Sequence, residues 1–142
     1  YHVRVTFKEN ARNEGGIISR TEIEFTADNL EAVQKLFESL GYQVVVGYEK
    51  YRRTYQLGDV KVMLDELPFG EFVEIEAANN ILIEGMTQML GLNMSRAINT
   101  NYLGLWTIAK KNIGLGVRDL TFENLENVAI TPADLEVEPA DV

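Results

Sequence analysis

The chain has 142 residues, no cysteine, 46% hydrophobic content and a net charge of −9. This suits one globular domain with a sizeable core and excludes a disulfide framework or a thiolate metal site. No apolar run is long enough to span a bilayer and no signal peptide is visible, so a cytoplasmic protein with no membrane partner is expected. Seven acids and no Lys or Arg fall within residues 119–142. The rest of the chain is therefore close to neutral, without the basic patch that general nucleic-acid binding requires.

The chain opens in a strand, with Tyr1, Val3, Val5 and Phe7 alternating against His2, Arg4, Thr6 and Lys8. A domain that starts in mid-strand leads us to expect further residues upstream of Tyr1. Asn10 to Gly16, with Gly15-Gly16, reads as a hairpin connection. Ile17 to Thr26 is the next expected strand, with Arg20, Glu22 and Glu24 on one face and Thr21, Ile23 and Phe25 on the other. Asp28, with Glu31 three residues on, is a candidate capping box for a helix carrying Leu30, Val33, Leu36, Phe37 and Leu40 and ended by Gly41. Val44-Val45-Val46 suggests a strand covered on both faces.

The most informative stretch runs from Tyr48 to Ala77. Three segments alternate with period two, separated by Leu57-Gly58-Asp59 and Leu67-Pro68-Phe69-Gly70, which predicts an antiparallel meander. One face carries Lys50 and Arg52, then Asp65, then Glu74 and Glu76. Two carboxylates at alternate positions of one strand lie about 7 Å apart and repel unless a cation sits between them. Mg²⁺ and Mn²⁺ favour such oxygen ligands and leave positions for phosphate oxygens, while Lys and Arg suit the phosphates themselves. A solvated face of mixed charge would show the same pattern. Beyond it, Asn79 or Asn80 caps a helix through Leu92, Asn101 to Lys111 forms another, and the tail from about Asn127, with Pro132 and Pro139, is expected to be extended or weakly ordered. A Ser–His or Cys–His nucleophile pair is ruled out or unsupported, since the chain has one His and no Cys.

Lys50-x-Arg52-x-x-Tyr55, Leu64-Asp65-Glu66 and Gly70-x-Phe72-Val73-Glu74-Ile75-Glu76 resemble the second half of a CYTH domain, the superfamily of triphosphate tunnel metalloenzymes. Thr6-Phe7-Lys8-Glu9, Arg20-x-Glu22-x-Glu24 and Tyr102-Leu103-x-Leu105 resemble further segments of it, nearest the class IV adenylate cyclases. The family's N-terminal Glu-x-Glu-x-Lys motif has no counterpart here. The resemblance implies an α+β fold, an antiparallel β-barrel or tunnel with packing helices outside and its first strands missing. It implies a CYTH-like domain over 1–126, incomplete at its N-terminus, followed by an acidic tail over 127–142. It further implies Lys8, Arg20, Lys50 and Arg52 on the phosphates of a triphosphate, with Lys8 and Arg52 catalytic. Asp65, Glu74, Glu76 and Glu22 would hold Mg²⁺ or Mn²⁺. The implied reaction is ATP to cyclic AMP and pyrophosphate. The alternatives are hydrolysis of tripolyphosphate or thiamine triphosphate, and a non-catalytic triphosphate- or polyphosphate-binding module. A homodimer is compatible with this reading.

Overall fold

The structure, a computed structural model, describes residues 2–10, 12–14 and 17–141; Tyr1, and Gly15-Gly16 of the expected hairpin connection, lie outside them. The chain divides into two compact units, Tyr1–Val45 and Val46–Val142.

In the first unit, β1 (Val3–Lys8) pairs antiparallel with β4 (Glu22–Ala27), and β2 (Arg12–Glu14) pairs with β3 (Ile17–Ser19). The register sets Arg4, Thr6 and Lys8 opposite Thr26, Glu24 and Glu22, while Val3, Val5 and Phe7 oppose Ala27, Phe25 and Ile23. Alternation thus sorts the ladder into one polar and one apolar face. The single strand expected over Ile17 to Thr26 is two strands, broken at Arg20-Thr21, because its halves pair with different partners. Helix α1 (Leu30–Ser39) is capped by Asn29 rather than Asp28: the Asn29 side chain accepts from the Ala32 N–H at 3.0 Å. Asn and Asp cap about equally well, so the sequence alone does not choose between neighbours. Gly41, at φ +92°, closes the helix in the left-handed region. Tyr42 to Val46 forms no strand, since no partner among the described residues offers it a ladder.

In the second unit, β5 (Tyr51–Leu57), β6 (Val60–Leu67) and β7 (Gly70–Glu76) form the expected meander in the order β5-β6-β7. Both hairpins have two-residue loops, and the first relies on Gly58 at φ +57°. The pairing sets Arg52 opposite Asp65 and Asp65 opposite Phe72, with Met63 opposite Glu74 and Lys61 opposite Glu76. The sheet is covered on both faces, at opposite ends. Helix α2 (Asn80–Met89) buries Met86 with Val60 and Val62 on one face. On the other, Leu67 and Phe69 join a larger core with Leu105, Trp106 and Ala109 of α3 (Tyr102–Ile113), Leu120, Leu125 of the short α4 (Phe122–Leu125), and Leu135. Among the described residues the sheets have two, two and three strands, and none closes into a barrel.

The C-terminal stretch corrects the expectation of a loose tail. Residues Pro132–Leu135 form a 3₁₀ turn, and Asp134 accepts from both the backbone N–H and the hydroxyl of Thr131, at 2.8 and 2.6 Å. Asn112 of α3 donates to the Asp134 carbonyl at 3.0 Å. Leu135 is buried, and Val128, Ile130 and Val137 pack against the same core. The acids Asp134, Glu136 and Glu138 alternate with Leu135 and Val137, which face the core. Leu135→Ala is therefore expected to destabilise the protein by about 2–4 kcal/mol. A solvated tail would give less than about 0.5 kcal/mol, and urea unfolding of the two proteins distinguishes these outcomes.

Candidate functional site

Each unit carries one cluster of paired charges. In the first, the β1–β4 register brings Lys8 to Glu22 at 3.0 Å, and Arg20 reaches the same Glu22 oxygen at 2.9 Å. Hydrogen bonds from Arg20, then Lys8, hold the Glu22 carboxyl below its usual pKa. Glu24 pairs with Arg4 at 3.3 Å and accepts from Thr6. Glu22 and Glu24 thus act here as counter-ions to neighbouring bases. All these side chains are substantially exposed, so the pairs add little stability.

The second cluster is built on Asp65, whose side chain is fully shielded from solvent. Cross-strand pairing puts Arg52 directly opposite, and its guanidinium donates in two-pronged fashion, Nε to Oδ1 and Nη2 to Oδ2, both at 2.6 Å. Lys50 Nζ donates to Oδ2 at 2.9 Å, and so does the Tyr102 hydroxyl, at 2.9 Å. Arg52 Nη2 also donates to Glu74 on β7. Lys50 and Arg52 keep 22% and 30% of their side chains exposed, so this buried carboxylate presents two cations toward solvent. Burial pushes the Asp65 carboxyl up, but the hydrogen bonds from Arg52, Lys50 and Tyr102 outweigh it and hold the group at about 2.

Of the residues expected on the functional face, the second unit brings Lys50, Arg52, Asp65 and Glu74 into one connected network. Glu76 lies on the same face, opposite Lys61. Arg53 projects from the other face, opposite Leu64. Lys8, Arg20 and Glu22 belong to the first unit's cluster. Asp65, expected as a metal ligand, already has both oxygens engaged by protein donors. Among the described residues no three His, Asp or Glu side chains converge as a ligand set for a metal ion. The donors that fit a cation are Glu74 and Glu76, two carboxylates on one strand face. That matches Mg²⁺, which is usually bound by one or two carboxylates together with substrate phosphates rather than by an all-protein cage.

Tyr102 is the participant that sequence reasoning missed. Its spacing with Leu105, Trp106 and Ala109 places it on the buried stripe of α3. A phenol on such a stripe needs a hydrogen-bond partner, and that was the signal available.

The CYTH domain model matches residues 2–81, more than half of the chain and including the meander. The chain belongs to the CYTH domain family. Within the family, the triphosphate tunnel enzymes bind triphosphates and use divalent metal. The chain is also similar to a protein of Methanocaldococcus jannaschii named "Putative adenylate cyclase MJ0240", 29% identical over 97 residues, 61% of this chain and 55% of that protein. It thus spans about half the length of that curated relative. No solved structure matches. Among the described residues no helix is long and apolar enough to cross a membrane.

The Asp65 network makes a prediction about acid stability. Because the Asp65 pKa is depressed on folding, its ionised form contributes stability above the unfolded pKa near 4, and this is lost as pH falls toward 2. The contribution is roughly 2 kcal/mol. Asp65→Asn, which leaves the cations without their buried counter-charge, should cost about 3–5 kcal/mol at neutral pH. Its stability should also fall less steeply than the parent's between about pH 4 and pH 2. Denaturant melts across that range read both effects.

Proposed function

We propose that Lys50 and Arg52 bind the phosphates of a nucleoside triphosphate and that the protein converts ATP to cyclic AMP and pyrophosphate. The observation that carries this reading is the buried Asp65 carboxylate, which holds an ammonium and a guanidinium side by side at the protein surface. Membership of the CYTH family and the name of the archaeal relative support it.

Phosphoryl chemistry of this kind depends on charge neutralisation and in-line positioning more than on covalent assistance from the protein. Lys50, Arg52, Asp65 and Glu74 together carry no net charge. A phosphate approaching Arg52 therefore competes with Glu74 for the guanidinium, and Asp65 retains the two-pronged contact that keeps Arg52 in place. Arg52 is assigned to the oxygens of the departing pyrophosphate, and Lys50 to a neighbouring phosphate as a point charge. Displaced from Arg52, Glu74 would join Glu76 to hold a Mg²⁺ or Mn²⁺ ion carried by the triphosphate, whose contribution is neutralisation of charge on the leaving group. With the ribose 3′-hydroxyl as attacking group the product is cyclic AMP. With water the same arrangement gives a triphosphatase acting on tripolyphosphate or thiamine triphosphate.

Arg52→Ala should weaken tripolyphosphate binding by roughly 2–4 kcal/mol. Arg52→Lys should recover part of the loss, because Lys lacks the two-pronged geometry. Arg53→Ala, on the opposite face, should change affinity little. Equal losses in Arg52→Ala and Arg53→Ala, read by titration calorimetry, overturn the assignment. Incubation with ATP and identification of products then separates the reactions. Cyclic AMP with pyrophosphate is the expected result, orthophosphate release indicates the hydrolase, and binding without turnover indicates a triphosphate-binding module.

A further inference from the structure

We propose that Tyr102 is a positioning residue for the phosphate-binding pair: its phenol and ring together fix Lys50 and Asp65 so that Lys50 stands beside Arg52. The proposal rests on the reading that Lys50 and Arg52 bind the triphosphate. Tyr102 lies beyond residues 2–81, which match the CYTH domain model; the resemblance of Tyr102-Leu103-x-Leu105 to a segment of the family carried no role for its hydroxyl.

The Tyr102 hydroxyl donates to Asp65 Oδ2 at 2.9 Å, the same oxygen that accepts from Lys50 Nζ at 2.9 Å and Arg52 Nη2 at 2.6 Å. Oδ1 accepts from Arg52 Nε. The bidentate guanidinium fixes the carboxylate along β5–β6, and the phenol is a further tether, coming from a different element. Lys50 precedes the first residue of β5, so the ladder constrains its long side chain little. Its ammonium is instead held between Asp65 Oδ2 and the Tyr102 ring, whose centroid lies 5.1 Å away, within cation–π range.

The tyrosine is itself held. Its ring meets Phe72 edge-on at 5.2 Å, and Phe72 meets Phe69 at 5.5 Å. Phe72 is also the cross-strand partner of Asp65. Asn101 caps the start of α3, accepting from the Gly104 N–H at 2.8 Å. Burial, and then the hydrogen bond to Asp65, raise the phenol's pKa, so it stays a donor at any pH where the site works. The hydroxyl orients the carboxylate, the ring limits the ammonium's travel, and neither needs to touch substrate.

The test uses Tyr102→Phe, which keeps the ring and removes the donor, and Tyr102→Leu, which removes both. Tripolyphosphate affinity should fall about three- to tenfold in Tyr102→Phe, the worth of one hydrogen bond, and further in Tyr102→Leu. In a Lys50→Ala background, Tyr102→Phe should cost measurably less than it does alone, because the group being positioned is gone. A merely structural role would lower the thermal midpoint yet leave affinity and the Lys50 coupling unchanged, and that result overturns the proposal. Arg52→Ala is the control for the underlying reading. If it abolishes binding while Tyr102→Phe binds like the parent, the positioning role fails and the phosphate site stands. If the parent binds no tripolyphosphate, the site assignment fails and the positioning role goes with it.

Discussion

A carboxylate with no exposure to water is the constraint around which the second unit is arranged. A buried, ionised Asp costs several kcal/mol unless nearly all of its hydrogen-bonding capacity is met. Asp65 meets it with four donated bonds from Arg52, Lys50 and Tyr102. Each bond fixes something larger than itself. The Arg52 fork requires the β5–β6 register, since a slip of one residue would send Arg52 to the face of Leu64. The Tyr102 bond requires α3 to begin where it does. The Lys50 bond requires the chain entering β5 to stay in place, and the backbone pairing of Gly47 and Glu49 with Leu120 supplies this.

The same carboxylate explains why two cations sit next to each other. Lys50 and Arg52 repel, and without a shared counter-ion their side chains would move apart into water. Asp65 cancels the repulsion by accepting from both. Glu74, on the neighbouring strand, brings the group to neutrality through its bond from Arg52. The two acids are not equivalent. Asp65 is shielded and held by several donors, so exchanging its partners is costly; Glu74 is 41% exposed and readily takes water or another partner in place of Arg52. Under the proposed function, Glu74 is the carboxylate that an incoming phosphate would displace, leaving the cation pair held by Asp65.

Much of this was legible in the sequence. Strict alternation over 50–76 and the turn residues between its segments carried the meander, its register and the opposite facing of Arg52 and Arg53. The role of Asp65 was not legible, because residue type and strand parity are the same for a metal ligand and for a buried counter-ion. What separates them is how many donors surround the group, and one of those, Tyr102, arrives from 37 residues away on another element. The tail misled in another way. Pro132 and Pro139 suggested an extended segment, while Leu135 and Val137 between them decided the packing. The broken strand at Arg20-Thr21 was hidden too, since pairing partners rather than residue preference end each half.

The tail and the site are physically connected. Tyr102 can reach Asp65 only because α3 is seated on the core, and residues late in the chain help seat it. Trp106 donates its indole N–H to the Arg118 carbonyl at 3.0 Å, Asn112 donates to the Asp134 carbonyl, and Leu135 fills the space beside Leu105 and Ala109. None of these residues falls within the family match at 2–81. The matched region supplies the cations, the buried acid and the outer carboxylates; strand register fixes Arg52, Asp65, Glu74 and Glu76 to one another, while Lys50 stands just before β5. The remainder supplies the helix that covers one end of that face and the phenol that tethers the carboxylate from above the sheet. A strand face alone leaves Lys50 free to rotate away from Asp65, whereas a helix anchored at its start by Asn101 and along its length by the C-terminal residues limits that rotation. Sequence beyond the family match therefore contributes geometry to the site through packing and one phenol, without adding a charge to it.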